Sequence, residues 1–163
     1  MKHPFLRRIL PLALCACLAV TLVTVVSPAR SAHAATANCP GDLNMGRGTT
    51  WLPGNYVTWH TCAGTSLKLI YQGDGNFVLY IGGQAKWATN TSGLIVFPDY
   101  VEFQPDGNLV VYNTDALGFT RAVWASHTNG KGATSLELQE DGNLVIYNAS
   151  GQALWASHTC CWR

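Results

Sequence analysis

The alternation of apolar and polar residues follows one nine-residue phrase that occurs three times in the chain. The copies span 72–80, 104–112 and 139–147, and each reads Gln-x-Asp-Gly-Asn-apolar-Val-apolar-Tyr. Apolar residues also stand one and three places before each Gln, such as Tyr71 and Leu69 before Gln72. Alternation on both sides of Asp-Gly is typical of two β-strands joined by a tight turn. The pattern therefore predicts three β-hairpins.

The length of the hairpin loop decides which side chains share a face of the sheet. A three-residue Asp-Gly-Asn loop, with Gly or Asn at positive φ, places Gln72, Val78 and Tyr80 on one face. The other face is then wholly apolar and consists of Leu67, Leu69, Tyr71, Phe77 and Leu79. A two-residue loop would separate the Gln from the Val and Tyr. We therefore predict the three-residue loop in all three copies.

Each phrase also brings polar groups together on the face opposite the apolar one. Turn chemistry alone would explain Asp-Gly-Asn, but a turn requires neither the Gln nor the Tyr. An amide, a carboxylate, a second amide and a phenol beside a valine provide several donors and acceptors next to a small apolar surface. This combination suits a sugar ring, which has neighbouring hydroxyls and an exposed C–H edge.

A second phrase follows each predicted hairpin. It reads Trp87-Ala-Thr-Asn-Thr91, Trp124-Ala-Ser-His-Thr128 and Trp155-Ala-Ser-His-Thr159. The Gln-to-Gln spacings are 104 − 72 = 32 and 139 − 104 = 35 residues, which indicates stacked or radially arranged repeats. The tryptophans could be sugar-stacking platforms, but small apolar residues at alternate positions favour a place in the core. His127 and His158 have no carboxylate at ligand spacing, so we expect solvated histidines and no metal site.

The first 34 residues have the pattern of a secretory signal peptide. A basic stretch precedes the apolar run 9–26, and Ala-His-Ala at 32–34 forms a small-x-small cleavage site. The mature chain 35–163 is long enough for one domain with its own core. An uncleaved membrane anchor is the alternative, which Pro28 and the cleavage triplet disfavour. We therefore expect a secreted, extracellular protein that is not inserted in a membrane after cleavage.

Charge and cysteine content further narrow the class of protein. Four of the ten Lys and Arg lie in the leader, so the mature chain has six against nine Asp and Glu, a net charge of −3. The mature chain has no basic patch, and nucleic acid is therefore not an expected partner. Its four cysteines indicate disulfides in an exported protein; they are Cys39, Cys62, Cys160 and Cys161. We expect Cys160 and Cys161 each to pair with Cys39 or Cys62, and a Cys39–Cys62 bond is the less favoured alternative.

The repeated phrase resembles the mannose-binding signature of the bulb-type lectins of snowdrop and other monocots. The resemblance covers roughly residues 41–159 and includes three intact phrases. It implies an all-β domain with the β-prism II fold, in which three antiparallel sheets are related by pseudo-threefold symmetry. The chain departs from the family at Gly75, where those lectins have a cysteine. Their C-terminal strand can be exchanged between subunits, which the adjacent Cys160 and Cys161 make doubtful here, so monomer and homodimer both remain open.

The same resemblance implies a role for each residue of the phrase. The Asp and Asn would bind the axial 2-hydroxyl of mannose, the Gln the 3-hydroxyl and the Tyr the 4-hydroxyl, while the Val would pack on the ring carbons. The implied site residues are Gln72, Asp74, Asn76, Val78 and Tyr80; Gln104, Asp106, Asn108, Val110 and Tyr112; and Gln139, Asp141, Asn143, Val145 and Tyr147. Because side chains would supply every contact, no metal or other cofactor is expected.

The sequence favours a secreted multivalent lectin for α-D-mannose or mannose-rich glycans over two other classes. A glycoside hydrolase needs two carboxyls about 5 to 10 Å apart, whereas each phrase has one Asp, and Glu102 and Glu137 lie on predicted strands. We therefore expect no enzymatic activity. The alternative is a β-prism protein-interaction, toxin-like or inhibitory module with weak or vestigial sugar sites. Such relatives usually have degraded phrases, whereas these three are intact.

Overall fold

The computed structural model describes residues 41–93 and 97–160, which consist of strands, turns and loops. Its twelve strands are β1 (Leu43–Gly46), β2 (Thr49–Trp51), β3 (Tyr56–His60), β4 (Ser66–Tyr71), β5 (Phe77–Ile81), β6 (Gln84–Ala88), β7 (Phe97–Phe103), β8 (Leu109–Thr114), β9 (Thr120–Ala125), β10 (Ala133–Leu138), β11 (Leu144–Asn148) and β12 (Ala153–Ala156). They form three antiparallel four-stranded sheets, so the expected all-β prism is confirmed. The expected signal peptide lies outside the described residues, and within them there is no helix of the length and apolarity needed to span a bilayer.

The three sheets share one plan, with the strand orders β3-β4-β5-β6, β2-β7-β8-β9 and β1-β10-β11-β12. The two central strands of each sheet form the hairpin that carries the repeated phrase, and a strand with the Trp phrase lies at one edge. The opposite edge strand comes from residues 43–60, which contribute β1, β2 and β3 to three different sheets. The repeated phrases do not predict this distribution of one segment over three sheets.

The hairpins orient their apolar residues as the alternation predicts. The predicted apolar face of the first hairpin is buried: Leu67, Leu69, Tyr71, Phe77 and Leu79 are each 0% exposed. Equivalent residues of the other two hairpins join them in a single core. Burial of one large apolar side chain is worth about 1.5 to 3 kcal/mol. The apolar faces therefore hold the three sheets together and leave the opposite faces to solvent.

The three tryptophans of the second phrase meet at the centre of the prism. The ring centroids of Trp87 and Trp124 lie 5.6 Å apart, those of Trp87 and Trp155 5.3 Å, and those of Trp124 and Trp155 5.7 Å. The interplanar angles are 71° to 78°, and edge-to-face contacts of this kind are favourable. The three rings are partly buried and pack against the core, which agrees with the core interpretation of these residues.

The hairpin loop has the predicted length but begins one residue earlier than predicted. Gln72 N donates to Asn76 O at 2.9 Å, and Gly75 N donates to Gln72 O at 3.0 Å. The loop is therefore 73–75 (Gly-Asp-Gly) rather than Asp-Gly-Asn, a turn that ends in a left-handed residue. Gly75 supplies that conformation with a φ of 85°. The number of loop residues is still odd, so the predicted faces are unchanged.

The cysteines are only partly described by the structure. Cys62 is disulfide-bonded. Cys39 and Cys161 lie outside the described residues, so the pairing of the four cysteines stays a prediction.

Candidate functional site

The same Gln–Tyr hydrogen bond occurs in all three hairpins. The amide Nε2 of Gln72 donates to the hydroxyl of Tyr80 at 3.0 Å, Gln104 to Tyr112 at 2.9 Å and Gln139 to Tyr147 at 3.2 Å. In each hairpin the Gln directly follows the first strand and the Tyr lies on the second, and the odd loop places both on the same face. The structure therefore brings together the Gln and Tyr that turn chemistry does not explain.

The Asp of each phrase stabilises its own turn. One carboxylate oxygen of Asp74, Asp106 and Asp141 accepts a hydrogen bond from the backbone N–H two residues later, at 3.0 Å in each case. This is the Asx turn that short acidic side chains favour. In the first two phrases, the described residues provide no partner for the second carboxylate oxygen. That oxygen remains available as an acceptor.

The Asn of each phrase is held by the Trp phrase that follows it. Asn76 Oδ1 accepts from the Thr89 hydroxyl at 3.2 Å and from Thr91 N at 3.3 Å. The same two contacts are 3.1 and 3.2 Å at Asn108 and at Asn143. With the carbonyl oxygen occupied, the amide orientation is set, and the NH₂ group is left as a donor.

The Thr and Ser residues of the Trp phrase that hold the Asn were not predicted as part of the site. Thr91, Thr128 and Thr159 are buried, and each donates its hydroxyl to the carbonyl of the loop glycine at 2.6 Å. Thr89, Ser126 and Ser157 accept a backbone N–H from the first residue of the neighbouring strand. Their signal in the sequence is the Thr/Ser-x-Thr spacing in all three Trp phrases.

The residue between these two hydroxyls has a left-handed backbone in every repeat. Asn90 and His127 have a φ of 56° and His158 of 57°. All three side chains are exposed, so the expectation of solvated histidines is confirmed. Within 41–93 and 97–160, no cluster of three or more His, Cys, Asp or Glu residues could hold a metal ion.

Sites 1, 2 and 3 are defined here as the Gln, Asp, Asn, Val and Tyr of 72–80, 104–112 and 139–147. Their valines, Val78, Val110 and Val145, are each 2% exposed. The valines therefore shape the floor of each site and offer only a small apolar contact surface. The polar side chains above them provide most of the accessible groups, which are hydrogen-bond donors and acceptors.

The strand that faces each phrase differs from site to site. The residue paired with the Tyr is Lys68 in site 1, Tyr100 in site 2 and Ser135 in site 3. In site 2 the rings of Tyr100 and Tyr112 stack with centroids 4.8 Å apart. Burial raises the pKa of the Tyr100 phenol, and the neighbouring Tyr112 raises it further. The three sites thus share a motif but have cationic, aromatic and hydroxyl flanks.

Site 1 alone rests on a buried tyrosine. The hydroxyl of Tyr71 donates to Asn113 Oδ1 at 2.6 Å and lies 3.2 Å from Tyr112 O. This contact joins the sheet of site 1 to the sheet of site 2. Burial raises the pKa of Tyr71 to about 12.

Known proteins share both the sequence pattern and the fold. A mannose-specific lectin of Aloe arborescens is 41% identical over 92 residues, which cover 56% of this chain and 79% of that protein. The chain belongs to the bulb-type lectin family. No family model matches it.

Solved structures of monocot lectins are similar to this bulb-type lectin domain. A monomeric mannose-binding lectin of Gastrodia elata is 36% identical, with a TM-score of 0.57, and the match covers 74% of this chain and 98% of that chain. The snowdrop (Galanthus nivalis) agglutinin, solved with methyl-α-D-mannoside, is 34% identical, with a TM-score of 0.52 and coverages of 67% and 90%. The domain is thus a carbohydrate-binding module of the bulb-type class.

Proposed function

We propose that this protein is a secreted, multivalent lectin that binds α-D-mannose at sites 1, 2 and 3 without a metal ion. One observation carries the proposal: the same hydrogen bonds orient the Gln, Asp, Asn and Tyr in all three phrases. Relatives named as mannose-specific lectins support the choice of sugar. The fifteen site residues are assigned by this proposal.

The groups left available in site 1 match neighbouring sugar hydroxyls. The second Asp74 oxygen and Gln72 Oε1 are acceptors, the Asn76 NH₂ is a donor, and the Tyr80 hydroxyl can be either. Each sugar hydroxyl donates one proton and accepts others, so Asp74 and Asn76 together can bind the axial 2-hydroxyl. An equatorial 2-hydroxyl would leave both groups poorly paired, and such loss of pairing gives strong discrimination.

The binding chemistry requires no catalytic group. Each site has one carboxylate, which holds a turn, and the flanking Glu102 and Glu137 lie on β7 and β10. Donors and acceptors from the side chains alone supply the contacts. We therefore propose a binding protein without enzymatic activity.

A single site of this kind should bind weakly. A shallow pocket with about four hydrogen bonds, reduced by ordering costs, corresponds to a Kd near 1 mM, about −4 kcal/mol. Three sites on separate sheets raise the apparent affinity for clustered or branched mannose through avidity. The expected natural ligand is therefore a mannose-rich glycan rather than the free sugar.

The decisive experiment passes the mature chain 35–163 over immobilised mannose in the presence of EDTA. We expect retention and elution by free methyl-α-D-mannoside, with no retention on immobilised galactose. The triple variant Asp74→Asn/Asp106→Asn/Asp141→Asn should not be retained, because each Asn keeps the acceptor for the turn but replaces the second oxygen by a donor.

A matched control is Asp115→Asn. Asp115 also accepts backbone N–H bonds in a turn, at 2.9 Å from Leu117 N, but it lies outside the three sites. This variant should be retained like the parent. Passage of the folded parent through the mannose column without delay would overturn the proposal.

A further inference from the structure

Site 1 opens into a cavity that continues past its tyrosine. The cavity has a volume of about 310 Å³ and is lined by Ser66, Lys68, Ile70, Gln72, Tyr80 and Gly83. Gln72 and Tyr80 belong to site 1, so the cavity and the site share a wall. Ile70 pairs with Val78 and Lys68 with Tyr80, so these two side chains lie alongside site 1. Ser66 and Gly83 lie farther from the hairpin loop, because Leu67 already pairs with Ile81, one position beyond Tyr80.

A positioned cation forms part of this wall. The Lys68 ammonium lies 4.5 Å from the centroid of the Tyr56 ring, a favourable cation–π distance. Lys68 is half-buried and makes no ion pair within the described part of the chain. Its charge is therefore held at the cavity and is not neutralised by a neighbouring carboxylate.

The strands of the sheet that contains Lys68 carry only positive charges. Strands β3 to β6 contain Lys68 and Lys86 and no Asp or Glu. The strands of the other two sheets contain three carboxylates, Asp99, Glu102 and Glu137, and one cation, Arg121. Each site has one Asp of its own, so the strand charges make the potential at site 1 more favourable for an anion than at sites 2 and 3.

We propose that site 1 prefers a mannose whose 6-position carries an anionic group such as a phosphate, with Lys68 as the residue that determines this specificity. The inference rests on the proposed function, in which Tyr80 meets the 4-hydroxyl and Asp74 the 2-hydroxyl. Position 6 of the ring then lies on the Tyr80 side, toward the cavity, and position 1 lies on the Asp74 side. Ser66 adds a hydroxyl donor at the same wall.

The test follows each site separately by NMR on the isotope-labelled mature chain. The side-chain amides of Gln72, Gln104 and Gln139 report sites 1, 2 and 3, and sites 2 and 3 serve as internal controls. The protein is titrated at low salt with methyl-α-D-mannoside, mannose 6-phosphate and mannose 1-phosphate. At site 1 we expect about fivefold tighter binding of the 6-phosphate than of the mannoside, the magnitude of a surface ion pair.

Three comparisons decide the outcome. The preference should be confined to site 1, be absent with the 1-phosphate and shrink at 0.3 M salt, since screening weakens exposed charge pairs. Lys68→Gln should abolish the ratio between the 6-phosphate and the mannoside. Lys131→Gln, an exposed lysine between β9 and β10, should leave it unchanged.

The possible failures are distinguishable. Equal ratios at all three sites, a ratio that survives Lys68→Gln, or the same gain with the 1-phosphate would overturn the inference while mannoside binding still supports the proposed function. Absence of mannoside binding at every site would overturn both.

Discussion

Sites 1 and 3 contain the same five residue types and the same internal hydrogen bonds, yet they are built into the domain to different degrees. Asp74 is exposed and Tyr80 half-buried, whereas Asp141 is half-buried and Tyr147 is only 9% exposed. The facing strand differs as well, because Ile70 pairs with Val78 while Glu137, which is 3% exposed, pairs with Val145.

The loop residue that varies within the phrase contributes to this difference. It is Gly73 in site 1 and Glu140 in site 3. The Glu140 carboxylate accepts from Cys62 N at 2.8 Å, and Glu140 N donates to Asp42 Oδ1 at 2.9 Å. The comparison teaches that the repeated residues of the phrase determine the bonds inside a site, while the variable loop residue and the facing strand determine how open the site is.

The largest expected effect separates the two sites by affinity. Asp74→Asn should weaken mannoside binding at site 1 about 10- to 100-fold, because hydrogen bonds to charged groups are worth about 1.5 to 3 kcal/mol. Asp141→Asn should reduce the total mannoside bound by less than Asp74→Asn does, since the buried Tyr147 limits access to site 3. Calorimetric titration of both variants measures this, with Asp115→Asn as the control. Equal losses from the two variants would show that burial does not restrict site 3.

The next largest effect, a loss of stability, should be the same at sites 1 and 3, because the Thr hydroxyls that support their loops are equivalent. Thr91→Val and Thr159→Val each remove a hydroxyl that donates to a loop glycine at 2.6 Å. Each should lower the free energy of unfolding by about 1 to 3 kcal/mol, the cost of an unpaired buried carbonyl. Urea unfolding measures the change. Thr50→Val, on exposed Thr50 of β2, should change stability little, and a comparable loss there would contradict the explanation.

A smaller effect tests what lies beneath site 1. Tyr71→Phe removes the bond to Asn113 and should cost about 1 to 2 kcal/mol at neutral pH. Because the pKa of Tyr71 is raised from 10.0 to about 12 on folding, the unfolded chain ionises first, so this contribution to stability is present below pH 10 and is lost between pH 10 and 12.

The measurement is urea unfolding of both proteins from pH 7 to 12. The stability difference between the parent and Tyr71→Phe should narrow above pH 10. Tyr56→Phe, at a tyrosine that is 58% exposed, should change stability little at pH 7. A constant gap for Tyr71→Phe would rule out titration of this phenol as the cause.

The smallest effect concerns the Tyr hydroxyls of the two sites. Tyr147→Phe should cost about 1 kcal/mol of stability, because a nearly buried donor-acceptor pair is broken. Tyr80→Phe should cost about half as much or less, since water can replace the hydroxyl next to Gln72. Thermal unfolding of the two variants provides the comparison. A greater loss for Tyr80→Phe would reverse the assignment of site 3 as the more buried one.

The local alternation of apolar and polar residues predicts the hairpins. It does not predict the pairing of strands that are far apart in the sequence. Period-two alternation around Phe77 and Leu79 determines the same face for any three-residue loop, so the core is predictable even though the predicted loop begins one residue late. The short segment Leu43–His60 has no such repeat. Its partners lie up to about 95 residues away in sequence, as in Leu43 opposite Leu138, and propensity does not specify a pairing of that kind.

The candidate sites show the same division. The fifteen residues of the phrases stand out because they recur, and in each phrase the structure joins the Gln to the Tyr and the Asp to the backbone of the Asn. Thr91 and its equivalents recur as well, but small hydroxyls are common in loops and their role appears only when β6 folds back on the hairpin. The Tyr71–Asn113 bond joins two repeats and has no counterpart at Phe103 or Leu138, so no internal comparison could reveal it.

The origin of β1, β2 and β3 in one continuous segment has a consequence for how the molecule can be divided. The sheet of each repeat takes one edge strand from residues 43–60. None of the three repeats is therefore a self-sufficient module that could be excised, multiplied or shuffled alone. Proteolytic cleavage near Pro53 would detach edge strands from more than one sheet at the same time. Loss of ligand recognition should then occur as a single event for the whole prism rather than site by site.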